Sequence, residues 1–291
     1  MDAKSFFSSQ QLSELIDIFK SKDTKSSSIQ EYLNDFGILT TFFGFVCFDM
    51  PATIKMHRVR INEKGKDFTC LNELWCPPID KIERIGRCND KGEQILYMSG
   101  GGDTALREIN PPIGSVVTCL ECELVEDIKV FEIGVLKNNQ GEVFLQQLAD
   151  FHKISINQFY KGDQDLIDLD TKLKDYIVEE FTKQIVIGDE HLYKKTISIA
   201  KYFLSNPTIE GLMFPSIKSN LLSINYAIPK QFADKKLKPT RIDVLKIVGN
   251  IDGRLRFEFL KGCYENINFS KPINYTNSRP IEGWAFQEKN P

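Results

Sequence analysis

The sequence predicts an α+β fold: a mixed, mainly antiparallel sheet with a helical insert, preceded by N-terminal helices. Three observations lead there. Short alternating apolar runs fill residues 53–136, helical periodicity fills most of residues 142–205, and alternating runs return from residue 208 onward. Strands, then helices, then strands again mark an α+β chain and not a regular βαβ alternation. The chain divides into residues 1–50, a helical extension; residues 51–265, the main domain; and residues 266–291, a polar, proline-bearing tail expected to be loosely ordered.

In the first fifty residues, Leu12, Leu15, Ile16 and Phe19 recur at helical spacing. Ser28 followed by Glu31 reads as a capping box opening a second helix, and Gly37 as its stop. Packing against the main domain or contact with a partner are the roles open to these helices. From Thr53 the texture changes. TIKMHRVRI, EQILYMS, SVVTCLECELV and IKVFEIGVL read as strands, and DTALREINPP as a short helix with Asp103 as N-cap and Pro111 forbidding continuation. FLQQLADFHK, DTKLKDYIVEEFTKQI and KKTISIAKYFL are helical, followed by strands in TIEGLMFPSI and SINYAIP. A final hairpin is expected from TRIDVLKIVG and LRFEFLKGCYE, turning at Asp252-Gly253.

Composition excludes several classes. A formal net charge of -3 with no long single-sign run argues against a protein that coats nucleic acid or anionic membrane. No stretch approaches the roughly 18 consecutive apolar residues of a membrane span. MDAKSFFSSQQLSEL lacks the basic start, apolar run and cleavage site of a secretory signal, so a cytoplasmic location is expected. Seven scattered cysteines then read as reduced thiols. Cys119 and Cys122 form a C-x-x-C within a strand, where residues three apart point to opposite faces, and His57, His152 and His191 fit no ligand spacing; no metal is expected.

The most specific stretch is GRCNDKGEQILYMSGGGDTALRE, which sets Arg87, Tyr97 and Glu108 at intervals of ten and eleven residues. A cation, an aromatic face and a carboxylate can together bind a charged, ring-containing ligand. In a helix over 104–110, Glu108 shares a partly apolar face with Ala105 and Ile109 while Arg107 points away. Such a carboxylate is either paired with an arginine or has chemistry to perform. Tyr97 lies on a strand apolar on both faces, which favours a core tyrosine with a bonded hydroxyl over a stacking platform. Gly100, Gly101 and Gly102 lack the Gly-Lys-Ser/Thr of a P-loop, and Ser216 in GLMFPS follows a strand where a hydroxyl can face a pocket or simply turn the chain.

Taken together these pieces resemble a RES domain, the family named for its arginine, glutamate and serine. The matching residues are Arg58 in HRVR, Arg87 and Asn89 in GRCN, Tyr97 in ILY, Glu108 in ALRE, Ser216 in GLMFPS and Asn225 in INYAI, across roughly residues 53–230. The resemblance implies a fold similar to the ADP-ribosyltransferase toxins, with a cleft that binds NAD as substrate. It also implies a toxin of a toxin–antitoxin pair, blocked by an Xre-type antitoxin, and leaves a homodimer open. Glu108, Arg87 and Tyr97 would be catalytic. Arg58, Arg87, Asn89, Tyr97, Ser216 and Asn225 would bind the dinucleotide. Two positions depart from the family pattern: Cys88 stands where relatives carry tryptophan, and Lys218 where they often carry arginine. The implied activity is cleavage of the nicotinamide–ribose bond, with water or phosphate as acceptor. ADP-ribosyl transfer to a protein and a catalytically silent binding module are the alternatives.

Overall fold

The computed structural model describes residues 8–138, 143–186, 188–221, 223–251 and 254–278. Among them the fold is α+β, with one nine-stranded sheet. In chain order the elements are α1 (Ser9–Ser21), α2 (Ile29–Thr40), β1 (Cys47–Met50), β2 (Lys55–Ile61), β3 (Ile95–Ser99), α3 (Gly102–Ile109), β4 (Val116–Leu124) and β5 (Ile128–Glu132). Then follow α4 (Val135–Asn138), α5 (Val143–Phe159), α6 (Gln164–Thr182), α7 (Tyr193–Leu204), β6 (Gly211–Pro215), β7 (Ile224–Pro229), α8 (Lys230–Lys236), β8 (Leu237–Ile251) and β9 (Arg254–Cys263).

The strand order is β1-β5-β6-β7-β3-β2-β4-β8-β9. Only β5 and β6 run parallel, joined through the helices α4 to α7. One junction in the sheet is unlike the rest. β3 pairs with β7 from Ile95 to Ser99, and β2 pairs with β4 from Lys55 to Ile61, yet β2 and β3 meet only at His57 and Ser99. The two halves of the sheet diverge from that single pair, and the gap between them is where the candidate site lies.

The N-terminal helices share a core with the helical insert. Phe19 meets Tyr32 and Tyr176 edge-on, Phe36 meets Tyr202 and Phe203, and Phe131 of β5 stacks on Phe203. Each fully buried side chain of this kind contributes roughly 1.5–3 kcal/mol. The predicted periodicity of α1 holds, with Leu12, Ile16 and Phe19 fully buried, and the Ser28–Glu31 capping box is formed in both directions.

Several local expectations are corrected. Gly37 does not stop α2, which runs on to Thr40; it lies inside the helix, where a Cβ would stand 3.8 Å from the Tyr202 ring of α7. Residues 47–50, expected to be helical, form an edge strand paired with β5. The strand read over residues 128–136 ends at Glu132, because Gly134 turns with φ +74° and α4 begins at Val135. The N-cap of α3 is Gly101, not Asp103, which instead pairs with Arg107 at 2.7 Å one turn on. The hairpin of β8 and β9 is present and closes at Ile251 and Arg254, while Asp252-Gly253 lies outside the described residues. The start of the tail is pinned, not loose. Ile273 N–H bonds Thr69 O, Thr276 bridges Gly262, and the Tyr275 hydroxyl donates to Phe68 O.

Candidate functional site

A cleft of about 570 Å³ opens where β2 and β3 diverge, within the range of small-molecule sites. Arg58, Arg87, Tyr97, Glu108 and Asn225 all line it. Residues up to 167 positions apart in sequence are thus brought to one gap by β2, the 86–89 turn, β3, α3 and β7.

Glu108 projects from the last turn of α3 and is held by two neutral donors. Ser216 Oγ donates to its Oε1 at 2.5 Å, and Asn225 Nδ2 donates to the same oxygen at 2.7 Å. Ser99 Oγ donates to Asn225 Oδ1 at 2.8 Å, which fixes the amide so that its nitrogen faces the glutamate. Ser99 and Asn225 are direct cross-strand partners on β3 and β7. Among the described residues no cation lies within ion-pair distance of Glu108, so the arginine-paired reading of this carboxylate is not what the fold builds. Both bonds go to one oxygen, which leaves Oε2 available to the cleft.

Arg58 rises from β2, its Nη1 bonded to Tyr97 O at 2.9 Å. Its Nε is buried with no hydrogen-bond partner. Burial, with Arg60 beside it, brings the guanidinium down to about 10, still protonated near neutrality. An unfilled donor on a desolvated cation at the wall of a cleft suits an anion.

Arg87 is held from behind. Its Nη1 donates to Glu180 O at 3.2 Å and its Nη2 to Lys183 O at 3.0 Å, carbonyls at the C-terminal end of α6, and the guanidinium lies over the Tyr193 ring. A cation capping a helix C-terminus is favourable in itself. From this anchorage Arg87 lines the cleft.

Tyr97 contributes its ring to the cleft wall, while its hydroxyl is turned to structural use. It donates to Asn89 Oδ1 at 2.8 Å and accepts from Cys88 N at 2.8 Å. Burial holds this hydroxyl well above the ordinary tyrosine range. Gly86 is required here, since a Cβ would stand 2.5 Å from Asn89 Oδ1.

Two of the expected ligand-binding residues stand behind the cleft instead of lining it. Asn89 is buried and bonds the Tyr97 hydroxyl; Ser216 is fully buried and bonds Glu108. Of the two departures from the family pattern, Cys88 sits in the main core with its thiol pushed up to about 12 by burial, and Lys218 is exposed and away from the lining.

The cleft also contains residues that sequence reasoning passed over. Arg60 lines it, two positions from Arg58 and therefore on the same face of β2, a relation the HRVR spacing already carries. Its guanidinium bonds Glu73 O and lies over the Phe68 ring. His57 lines it too, with Nε2 3.3 Å from Glu121. Burial works to raise the Glu121 carboxyl, and bonds from His57, Lys55 and Thr240 override it, bringing it down to about 2. Tyr193 gives no local signal, because only the tertiary fold sets it under Arg87.

Cys119 and Cys122 do lie on opposite faces of β4, in separate core clusters. Among the described residues no group of three or more His, Cys, Asp or Glu side chains is placed to hold a metal ion, and no helix is long and apolar enough to cross a membrane. No family model matches this chain, and no curated protein matches it. The likeness to the RES domain therefore rests on the residues themselves.

Proposed function

We propose that this protein is a RES-domain enzyme that binds NAD in the cleft between β2 and β3 and cleaves its nicotinamide–ribose bond. The observation that supports this most is the Glu108 carboxylate, with one oxygen fixed by Ser216 and Asn225, in a cleft that three arginines also line. Loss of nicotinamide leaves a ribosyl group with developing positive charge. A preorganised carboxylate stabilises that charge without having to reorganise first. Fixing Oε1 keeps Oε2 in place to face the sugar or to orient the attacking group.

The other residues divide the remaining work. Arg58 and Arg87, which both line the cleft, offer guanidinium charge to the pyrophosphate. The Tyr97 ring forms one wall for the nicotinamide or its ribose, its hydroxyl being committed to Asn89. Ser216, Asn225, Asn89 and Ser99 act as positioning residues, each reaching the cleft through the side chain it bonds. A cytoplasmic toxin held in check by an antitoxin protein is the setting this reading carries with it.

The test is incubation of the purified protein with NAD, with and without inorganic phosphate, and identification of every product by mass. Nicotinamide with ADP-ribose marks hydrolysis, and nicotinamide with ADP-ribose-1″-phosphate marks phosphorolysis. A mass increase on an added protein marks transfer. Intact NAD under all conditions, with the protein folded, overturns the enzymatic reading.

A further inference from the structure

Three guanidinium groups line the cleft, those of Arg58, Arg60 and Arg87, against a single lining carboxylate, Glu108. Among the described residues none of the three has a carboxylate within ion-pair distance; the arginines that do are Arg107 and Arg241. Their protein partners are carbonyls instead: Tyr97 O for Arg58, Glu73 O for Arg60, and Glu180 O and Lys183 O for Arg87. A carbonyl accepts a hydrogen bond without neutralising a charge. Arg60 also stands close enough to Arg58 for its charge to oppose protonation there. Like charges crowded into a concave site with no counter-ion of their own favour an anionic ligand.

We propose that Arg60 is a specificity-determining residue that makes the cleft select NADP, the 2′-phosphorylated dinucleotide, over NAD. This rests on the dinucleotide reading of the cleft given above. NAD sets two phosphate charges against the positive charge of its nicotinamide ring, and Arg58 and Arg87 already answer them. A phosphate monoester adds about −1.5 to −2 near neutral pH. Arginine is the residue type that accommodates such a group on the adenosine ribose of a bound dinucleotide. The third guanidinium is the one left to meet it.

Placement agrees with charge. Side chains alternate along β2, and Val59 packs with Ala105 and Leu106 of α3. Arg60 is on the opposite face, bonded to Glu73 O and lying over the Phe68 ring. It is thus turned away from α3, the helix that carries Glu108. The reacting ribose belongs beside Glu108, so Arg60 falls to the other half of the ligand, the adenosine half. The Phe68 ring and the Glu73 carbonyl hold the guanidinium before any ligand arrives, which limits the side-chain freedom lost on binding. Arg60 is only half-buried, and among the described residues its Nε and Nη2 make no bond and are not sealed from solvent. They present the planar fork that suits a phosphate.

The test measures nicotinamide release by the full chain from NADP and from NAD, each with and without inorganic phosphate. NADP is expected to show a kcat/KM about tenfold or more above that of NAD, carried by a lower KM. Added salt should narrow the difference. In Arg60→Gln the ratio of the two efficiencies is expected to fall to about one, while Arg60→Lys, which keeps the charge and loses the fork, retains an intermediate preference. Circular dichroism checks that each variant is folded; if Arg60→Gln is not, a native-like ratio in Arg60→Lys overturns the inference. Equal or better use of NAD by the unaltered protein overturns it and leaves the NAD-cleaving reading standing. So does an NADP preference that survives in folded Arg60→Gln. Stimulation of NAD cleavage by inorganic phosphate that is lost in Arg60→Gln, with the NADP ratio unchanged, would assign Arg60 to a free phosphate and overturn it as well. Release from neither dinucleotide overturns both readings.

Discussion

The Ser216 hydroxyl lies 2.5 Å from Glu108 Oε1, joining residues 108 positions apart in sequence. This contact ties the end of α3 to the turn after β6, and makes the direction of one carboxylate depend on both.

Glu108→Gln keeps the shape and removes the charge, and Oε1 can still accept from Ser216 and Asn225. Nicotinamide release is expected to fall by on the order of 10²-fold or more. A folded variant with nearly unchanged release ends the catalytic role of this residue.

Ser216→Ala removes one of the two donors that orient Glu108. A buried hydrogen bond to a charged group contributes about 1.5–3 kcal/mol, so turnover is expected to drop by roughly ten- to a hundredfold. The loss should fall on kcat and leave KM nearly unchanged. A change confined to KM would place Ser216 against the substrate instead.

Tyr97→Phe keeps the ring and strips the hydroxyl from Asn89 and the Cys88 N–H. The unsatisfied groups left behind are expected to lower stability by about 1–3 kcal/mol, read as a lower denaturant midpoint. The affinity for NAD should change little, since only the ring faces the cleft.

Arg87→Ala should weaken NAD binding and also lower stability, because the Glu180 and Lys183 carbonyls lose their cap. An unchanged dissociation constant beside a lowered melting temperature would show that Arg87 braces the fold and does not hold ligand.

Glu121 supplies an acid-sensitive contribution. Its carboxyl is held at about 2 against an ordinary 4.5, so its stabilising effect is complete above about 4.5. That effect is lost as the pH falls from there towards 2. Glu121→Gln should flatten this part of the acid unfolding curve, monitored by circular dichroism.

Periodicity exposes the longer helices and most strands, because their apolar spacing survives folding unchanged, but not the short α4 and α8. The Ser28–Glu31 box is local chemistry and was legible for the same reason. Errors fell where tertiary context overrode a local signal. Gly37 looks like a stop but lies inside a helix that runs on to Thr40, and Cys47–Met50 becomes a strand only because β5 lies alongside. At the site, Arg58, Arg87, Tyr97, Glu108 and Asn225 were legible as a set and do share one cleft. Their division of labour was not, since whether Asn89 or Ser216 faces a ligand or another side chain depends on contacts across long stretches of chain. Arg60 could have been found by counting two along β2, whereas nothing local announces Tyr193.

The grip on Arg87 by the last carbonyls of α6 has a mechanical outcome. Lys172 of α6 reaches Ser13 and Asp17 of α1, and Tyr176 of α6 packs edge-on against Phe19 of α1. The same rod that anchors the guanidinium is thus clamped by the first helix of the chain. Loosening that distant clamp would let the arginine drift, so damage to residues far from the cleft should surface as poorer grasp of the dinucleotide.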